Sequence, residues 1–265
     1  MTFELKDLGC RIKLARPVGG RRELIALQPL TLSIAHGEAI GIVGESGSGK
    51  TTLGRLLARL LAPTSGQIHF CGQQIDILRG SALRPWRRRI QMVFQDPSAS
   101  FNPRHSLARS LLEPLQLHNL SPDRLPPLLQ ELELATELLY RYPHQLSGGQ
   151  QQRMALARAL ALEPDCLILD EVTAALDPTR VAQLLETLRQ LRARRPVTLL
   201  LISHDLSAVA ALCDRILVFH QGHLVEDGST QQIMQQPQHP YTQLLLDSVP
   251  AQHPSQRRHK RPSSI

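Results

Sequence analysis

The segment Gly44-Glu45-Ser46-Gly47-Ser48-Gly49-Lys50-Thr51-Thr52 restricts the possible folds of this chain more than any other. It fits G-x-x-x-x-G-K-[ST] and sits where that pattern has physical meaning. Before it lies a short apolar run, Ala39-Ile40-Gly41-Ile42-Val43, which reads as a buried strand. After it, apolar residues recur at helical spacing from Lys50 to about Leu61, and Pro63-Thr64-Ser65-Gly66 stops the helix. Glycines let the backbone wrap round phosphates, and N–H groups at a helix N-terminus point at the anion. Lys50 is placed to reach β- and γ-phosphates, and the Thr51 hydroxyl to bind Mg²⁺.

A second element completes that chemistry. Leu167-Ile168-Leu169-Asp170-Glu171 is an apolar strand ending in two carboxylates. Asp170 then lies at the C-terminal edge of a buried strand, where ligands sit in open α/β sheets. It is a candidate Mg²⁺ holder through water, and Glu171 a candidate general base for the attacking water. Together the two elements indicate a nucleoside triphosphatase, without indicating which kind.

The rest of the chain alternates strands and helices. Residues 1–42 read as strands and turns, with Pro17-Val18-Gly19-Gly20-Arg21-Arg22 as a surface loop. Ile90–Phe94 is another strand. From about Asp96 to Gln145 the sequence is rich in Leu, Pro and polar residues and reads as short helices. Ser147 can cap a helix running to about Leu162. Thr198–Ile202 is a buried strand, preceded by an amphipathic helix from Thr179 to about Arg192. Arg215–Phe219, Gln221-Gly222 and His223–Glu226 read as a β-hairpin. The expected class is α/β, a mostly parallel sheet covered on both faces. One domain spans 1–250, with a helical subdomain at about 96–162; residues 251–265 are a basic tail expected to be disordered.

Composition narrows the setting. The 265 residues suffice for one large α/β domain. No apolar run reaches the length of a membrane span, and the charged opening Met1–Asp7 does not resemble a secretory signal, so the chain is expected to stay in the cytosol. Cys10, Cys71, Cys166 and Cys213 are too scattered for a CxxC pair and read as buried thiols. His220 and His223 read as exposed imidazoles at a turn rather than metal ligands. The net charge of +7 gathers in Arg87-Arg88-Arg89, between Arg192 and Arg195, and in Arg257-Arg258-His259-Lys260-Arg261. These read first as solvated helix faces and tail, and second as attraction to an anionic membrane surface. An aromatic content of 3% argues against base-stacking platforms, so no nucleic-acid partner is expected.

Leu146-Ser147-Gly148-Gly149-Gln150 makes a specific resemblance. This chain resembles the ABC ATPase family, whose signature is LSGGQ, over about residues 3–249. The resemblance implies a P-loop NTPase core, an antiparallel β subdomain and a helical subdomain carrying the signature. It implies Mg-ATP as substrate and cofactor, with Ser147, Gly148, Gly149 and Gln150 closing over ATP bound to an opposite subunit. By the same resemblance Gln95 is the Q-loop glutamine that contacts Mg²⁺, Ala175-Leu176-Asp177 the D-loop, and His204 the switch histidine at the γ-phosphate. The sequence departs from the family at Val172, where many members have Pro, and at Ala174, where many have Ser. No Phe, Tyr or Trp lies between Glu4 and Gly44 to stack on adenine; Ile12 is near the expected position and offers apolar contact.

Gln91–Pro97, Ser100-Phe101-Asn102-Pro103-Arg104 and His239-Pro240-Tyr241-Thr242-Gln243-Leu244-Leu245 resemble the peptide and nickel uptake branch of that family. The resemblance implies a second, non-identical ATPase subunit, two membrane permease subunits and an extracytoplasmic binding protein. It places this chain as the second ATPase of the pair, peripheral on the cytoplasmic face of the inner membrane. Peptide-branch members usually continue into a longer C-terminal region, some with a cysteine cluster. This chain has no cysteine after Cys213 and only a short tail, which tilts the expected cargo toward nickel or another metal chelate, with di- or oligopeptides as the alternative.

Overall fold

The computed structural model describes residues 1–15, 21–97, 100–174 and 176–248. Its first half contains β1 (Phe3–Ala15), β2 (Arg21–Ile34), β3 (Ala39–Val43), α1 (Lys50–Leu57), β4 (Ser65–Phe70), β5 (Gln73–Gln74), α2 (Arg84–Arg89) and β6 (Ile90–Val93). Then come α3 (Leu107–Leu117), α4 (Leu125–Glu131), α5 (Gly148–Leu160), β7 (Cys166–Asp170), α6 (Pro178–Arg194) and β8 (Thr198–Ile202). The chain continues through α7 (Leu206–Leu212), β9 (Arg215–His220), β10 (His223–Ser229), α8 (Thr230–Gln235) and α9 (Pro240–Asp247).

The strands form two sheets. One is antiparallel, in the order β2-β1-β4-β5; the other has the order β10-β9-β3-β8-β7-β6 and is parallel except for the β9–β10 hairpin. All five residues of each of β3, β7 and β8 are buried, which is why these strands read as unbroken apolar runs. Their period-2 alternation still divides them between two cores. Ile40, Ile42, Ile168, Leu200 and Ile202 face α1 and the antiparallel sheet. Ala39, Val43, Leu167, Leu169, Leu199 and Leu201 face the helices α3 to α7. Between β6 and β7 the described residues contain helices and no strand, as the composition of that stretch predicts.

Several expectations are corrected in detail. The helix after the glycine-rich loop ends at Leu57, not near Leu61. Arg59 turns into a left-handed conformation at φ 54°, and its guanidinium donates to the carbonyls of Ile75 and Asp76, which takes the chain off the helix axis. Arg21 and Arg22 begin β2 instead of closing a loop; residues 16–20 and the tail 251–265 lie outside the described residues. Cys71 is exposed, while the other three cysteines are buried. The arginine clusters are not merely solvated. Arg89 pairs with Asp165 at 2.5 Å and lies over the rings of Phe70 and Trp86, and Arg192 pairs with Asp214 at 2.6 Å. Among the described residues no helix is long and apolar enough to cross a membrane.

Candidate active site

Parallel strands end on the same side of a sheet, so sheet order decides which loops meet. β3 lies between β8 and β9, and β8 leads on to β7 and β6. One edge therefore collects Gly44 after β3, Gln95 after β6, Asp170 and Glu171 at β7, His204 after β8 and His220 at the end of β9.

The glycine-rich loop is a close-fitted cradle. Gly44 has φ 143°, and a Cβ there would meet the Phe219 carbonyl oxygen at 2.1 Å. Gly49 has φ 103° and would meet the Ala26 carbonyl at 2.6 Å. Only glycine serves at both positions. The loop runs into the N-terminus of α1, where N–H groups lack helical partners and can hold phosphate oxygens. Glu45, Ser46 and Gly47 are exposed on its rim, Ser48 and Lys50 are buried, and Thr51 and Thr52 are half-buried at the start of α1. The Lys50 ammonium donates to the Gly44 carbonyl at 2.7 Å and the Glu45 carbonyl at 2.6 Å. Burial lowers its pKa, opposed by the charges of Glu171, Asp170 and Glu45.

Across the edge, the Thr51 hydroxyl donates to an Asp170 carboxylate oxygen at 2.9 Å. Two hard oxygen donors meet at the foot of the loop, a donor set that fits Mg²⁺. Asp170 is buried, and burial, the largest influence, pushes its pKa up, while the Thr51 hydroxyl and the charge of Arg55 pull it down. The folded chain thus holds this proton to higher pH than the unfolded chain does. The group's stabilising contribution is complete below the unfolded-state pKa and is lost as pH rises through the folded-state value. Asp170→Asn keeps an acceptor for Thr51 and removes a buried charge. It is expected to raise nucleotide-free stability by about 1 kcal/mol at neutral pH and to bring no gain in acid; thermal melts across pH check this.

Glu171 follows with φ 52°, its N–H bonded to the Ile202 carbonyl at 2.9 Å. His204 Nδ1 lies 2.8 Å from Glu171 Oε2. The carboxylate is sheltered at 14% side-chain exposure and the imidazole open at 65%, so the pair offers an inner acceptor and an outer, solvent-facing ring. Gln95 is exposed at the same edge. Ile12 is half-buried in β1 and packs on the core shared by the two sheets.

The signature segment is a second helix N-terminus. Ser147 caps α5 as the sequence predicts, accepting from the Gln150 N–H at 3.3 Å while Gln150 Oε1 accepts from the Ser147 N–H at 3.0 Å. Ser147 and Gly148 are exposed, Gly149 and Gln150 half-buried. Asp177 caps α6 and pairs with Arg180, whose guanidinium packs beside Gly149. Ala175 lies outside the described residues; Val172 is buried.

A cradle for phosphates, an oxygen pair for a divalent cation and a carboxylate–imidazole pair now share one sheet edge. The ABC transporter family model matches residues 27–174, more than half of the chain. The chain belongs to the ABC transporter family. As a member, this ABC protein is an ATPase whose hydrolysis is coupled to transport, which implies permease partners. A second model, described as the oligopeptide/dipeptide transporter C-terminal region, matches residues 225–264. A Brucella ovis protein named as an ATP-binding protein of peptide import is 43% identical over 236 residues, 87% of this chain and 74% of that protein. A protein of the same naming from Brucella abortus is 44% identical over 241 residues, 89% of this chain and 72% of that one. The dimeric post-hydrolysis structure of the ATP-binding cassette MJ0796, bound to ADP and Pi, matches with a TM-score of 0.76 and 27% identity, covering 86% of this chain and 98% of that one.

These relatives correct the expected cargo: they favour the peptide alternative, and none of them supports nickel. A family model of the C-terminal region of oligopeptide/dipeptide transporters already matches from residue 225, inside β10, so a short tail gives no ground for nickel. Sequence reasoning also misread His220. It is half-buried and its ring lies against that of Tyr241, with centroids 4.0 Å apart and planes tilted by 34°. The Tyr241 hydroxyl in turn accepts a hydrogen bond from the Glu45 N–H at 2.9 Å. The signal was present in His239–Leu245, which the sequence offered only as a marker of branch.

Proposed function

We propose that this chain is one of two non-identical ATP-binding subunits, the second of the pair, that energise an importer of di- or oligopeptides. The match of residues 225–264 to the oligopeptide/dipeptide transporter C-terminal region carries the reading, and the peptide-import names of relatives at 43% and 44% identity support it. In this reading the subunit sits on the cytoplasmic face of the inner membrane against two permease subunits, which an extracytoplasmic binding protein supplies with cargo.

Gly44–Thr52 hold the phosphates, with Lys50 neutralising the β- and γ-phosphate charge. Thr51, Asp170 and Gln95 hold Mg²⁺, which supplies charge neutralisation on the phosphate oxygens. Glu171 orients the attacking water and accepts its proton; His204 supports the γ-phosphate side of the transition state. The exposed N-terminus of α5, with Ser147–Gln150, closes over nucleotide on the partner subunit, and Asp177 lies at that contact. The dimeric state of MJ0796 with ADP and Pi supports a two-subunit arrangement. Ile12 gives adenine apolar contact.

The test is cellular uptake of a labelled dipeptide and of radioactive nickel, side by side, with and without Glu171→Gln. Dipeptide accumulation is expected to fall to background while nickel uptake holds. Loss of nickel uptake alone would overturn the peptide reading and leave the ATPase intact.

A further inference from the structure

The C-terminal region reaches back into the phosphate loop. α9 is moored at its start: the Glu226 carboxylate on β10 accepts from the N–H groups of Gln238 at 2.8 Å and His239 at 3.1 Å. His239 then caps the helix, its Nδ1 accepting from the Tyr241 N–H at 3.1 Å. Tyr241 is thereby fixed in place. Its ring lies on His220 at the end of β9, and its hydroxyl meets the Glu45 N–H at 2.9 Å.

Glu45 N–H and Gly44 C=O belong to one peptide unit, which is planar. The oxygen of that unit accepts the Lys50 ammonium at 2.7 Å, and its N–H is held by Tyr241. The plane is therefore gripped from both ends, and tilting it would move the acceptor of the lysine. A phenyl ring at 241 would fill the same space and keep the same tilted contact with the imidazole. Only the hydroxyl reaches the loop.

We propose that Tyr241 is a positioning residue of the nucleotide site: its hydroxyl fixes the Gly44–Glu45 peptide plane, and through it the Lys50 ammonium, so that the C-terminal region sets nucleotide affinity. The inference rests on the phosphate-binding role of Gly44–Thr52 and is independent of the cargo. It also gives the C-terminal region, matched from residue 225 onward, a task at the motor site. A loop whose lysine is pre-placed loses less freedom on binding, and that difference appears as affinity.

The experiment titrates a fluorescent N-methylanthraniloyl-ATP with Mg²⁺ into the full chain, as wild type, Tyr241→Phe and Tyr241→Leu. Melting is followed without nucleotide, and turnover is measured at saturating MgATP. Loss of one neutral hydrogen bond predicts about 2- to 10-fold weaker binding for Tyr241→Phe, with turnover at saturation within about twofold of wild type. Its nucleotide-free melt should stay near wild type, whereas Tyr241→Leu, lacking the ring on His220, should also melt lower. Wild-type affinity in Tyr241→Phe would overturn the proposal. So would weaker binding accompanied by a melt lowered as far as in Tyr241→Leu, since that is a packing effect. A wild-type chain that failed to bind the analogue would instead sink the phosphate-loop role on which the proposal rests.

Discussion

Lys50→Ala is expected to weaken MgATP binding by at least about 100-fold, because hydrogen bonds from a charged donor are the strong ones and in the proposed role this donor would meet several phosphate oxygens at once. Lys50 is only 6% exposed, and its ammonium bridges the carbonyls of Gly44 and Glu45. Alanine removes the sole side-chain cation of the loop itself and leaves two carbonyls to water. The glycine conformations at 44 and 49 do not depend on Lys50, since strand and sheet carbonyls set them, so the fold should persist. Lys50→Arg is not expected to rescue, as the planar guanidinium is bulkier than the ammonium and the site is closed around Lys50. Isothermal titration with MgATP reads the effect, and normal affinity in Lys50→Ala would end the assignment of this loop to phosphate.

Glu171→Gln separates binding from chemistry. The side chain keeps its shape and its backbone anchor at Ile202, but no longer accepts a proton. Turnover is expected to fall by about 10²- to 10⁴-fold, the usual worth of a positioned general base, while MgATP affinity holds. Single-site turnover in the assembled importer is the measurement, because in the proposed pair a second ATP site would mask a partial loss in the steady state. Wild-type single-site turnover would show that Glu171 is not an essential base. A His204→Ala variant should lose less, because in the proposed role the ring, largely open to solvent, supports the γ-phosphate side while Glu171 remains in place as the base.

Much of the site was legible because its parts are local. Strand, glycine-rich turn and helix occur in unbroken succession from Ala39 to Leu57, and the capping box of α5 spans only Ser147 to Gln150. Hydrogen bonds between near neighbours leave a pattern that a linear reading recovers. The carboxylates of β7 were found for the same reason, as the end of an apolar run. The branch was half legible. The His239–Leu245 motif pointed to the peptide and nickel branch, but the short tail tilted the expectation toward nickel, whereas the C-terminal family model and the relatives favour the peptide alternative.

The sequence alone thus determined the chemistry on offer: an anion cradle, a lysine, a hydroxyl, two carboxylates and a second capped helix. Tertiary structure decided which of them meet. Thr51 and Asp170 share a bond across 119 positions, Glu171 and His204 across 33, and Glu45 and Tyr241 across 196. Those meetings follow from the order β10-β9-β3-β8-β7-β6, which brings the ends of distant parallel strands to one edge. Periodicity within a strand says which face a residue takes, but not which strand lies beside it; that choice is made by packing, of α1 and the antiparallel sheet on one face and of helices α3 to α7 on the other.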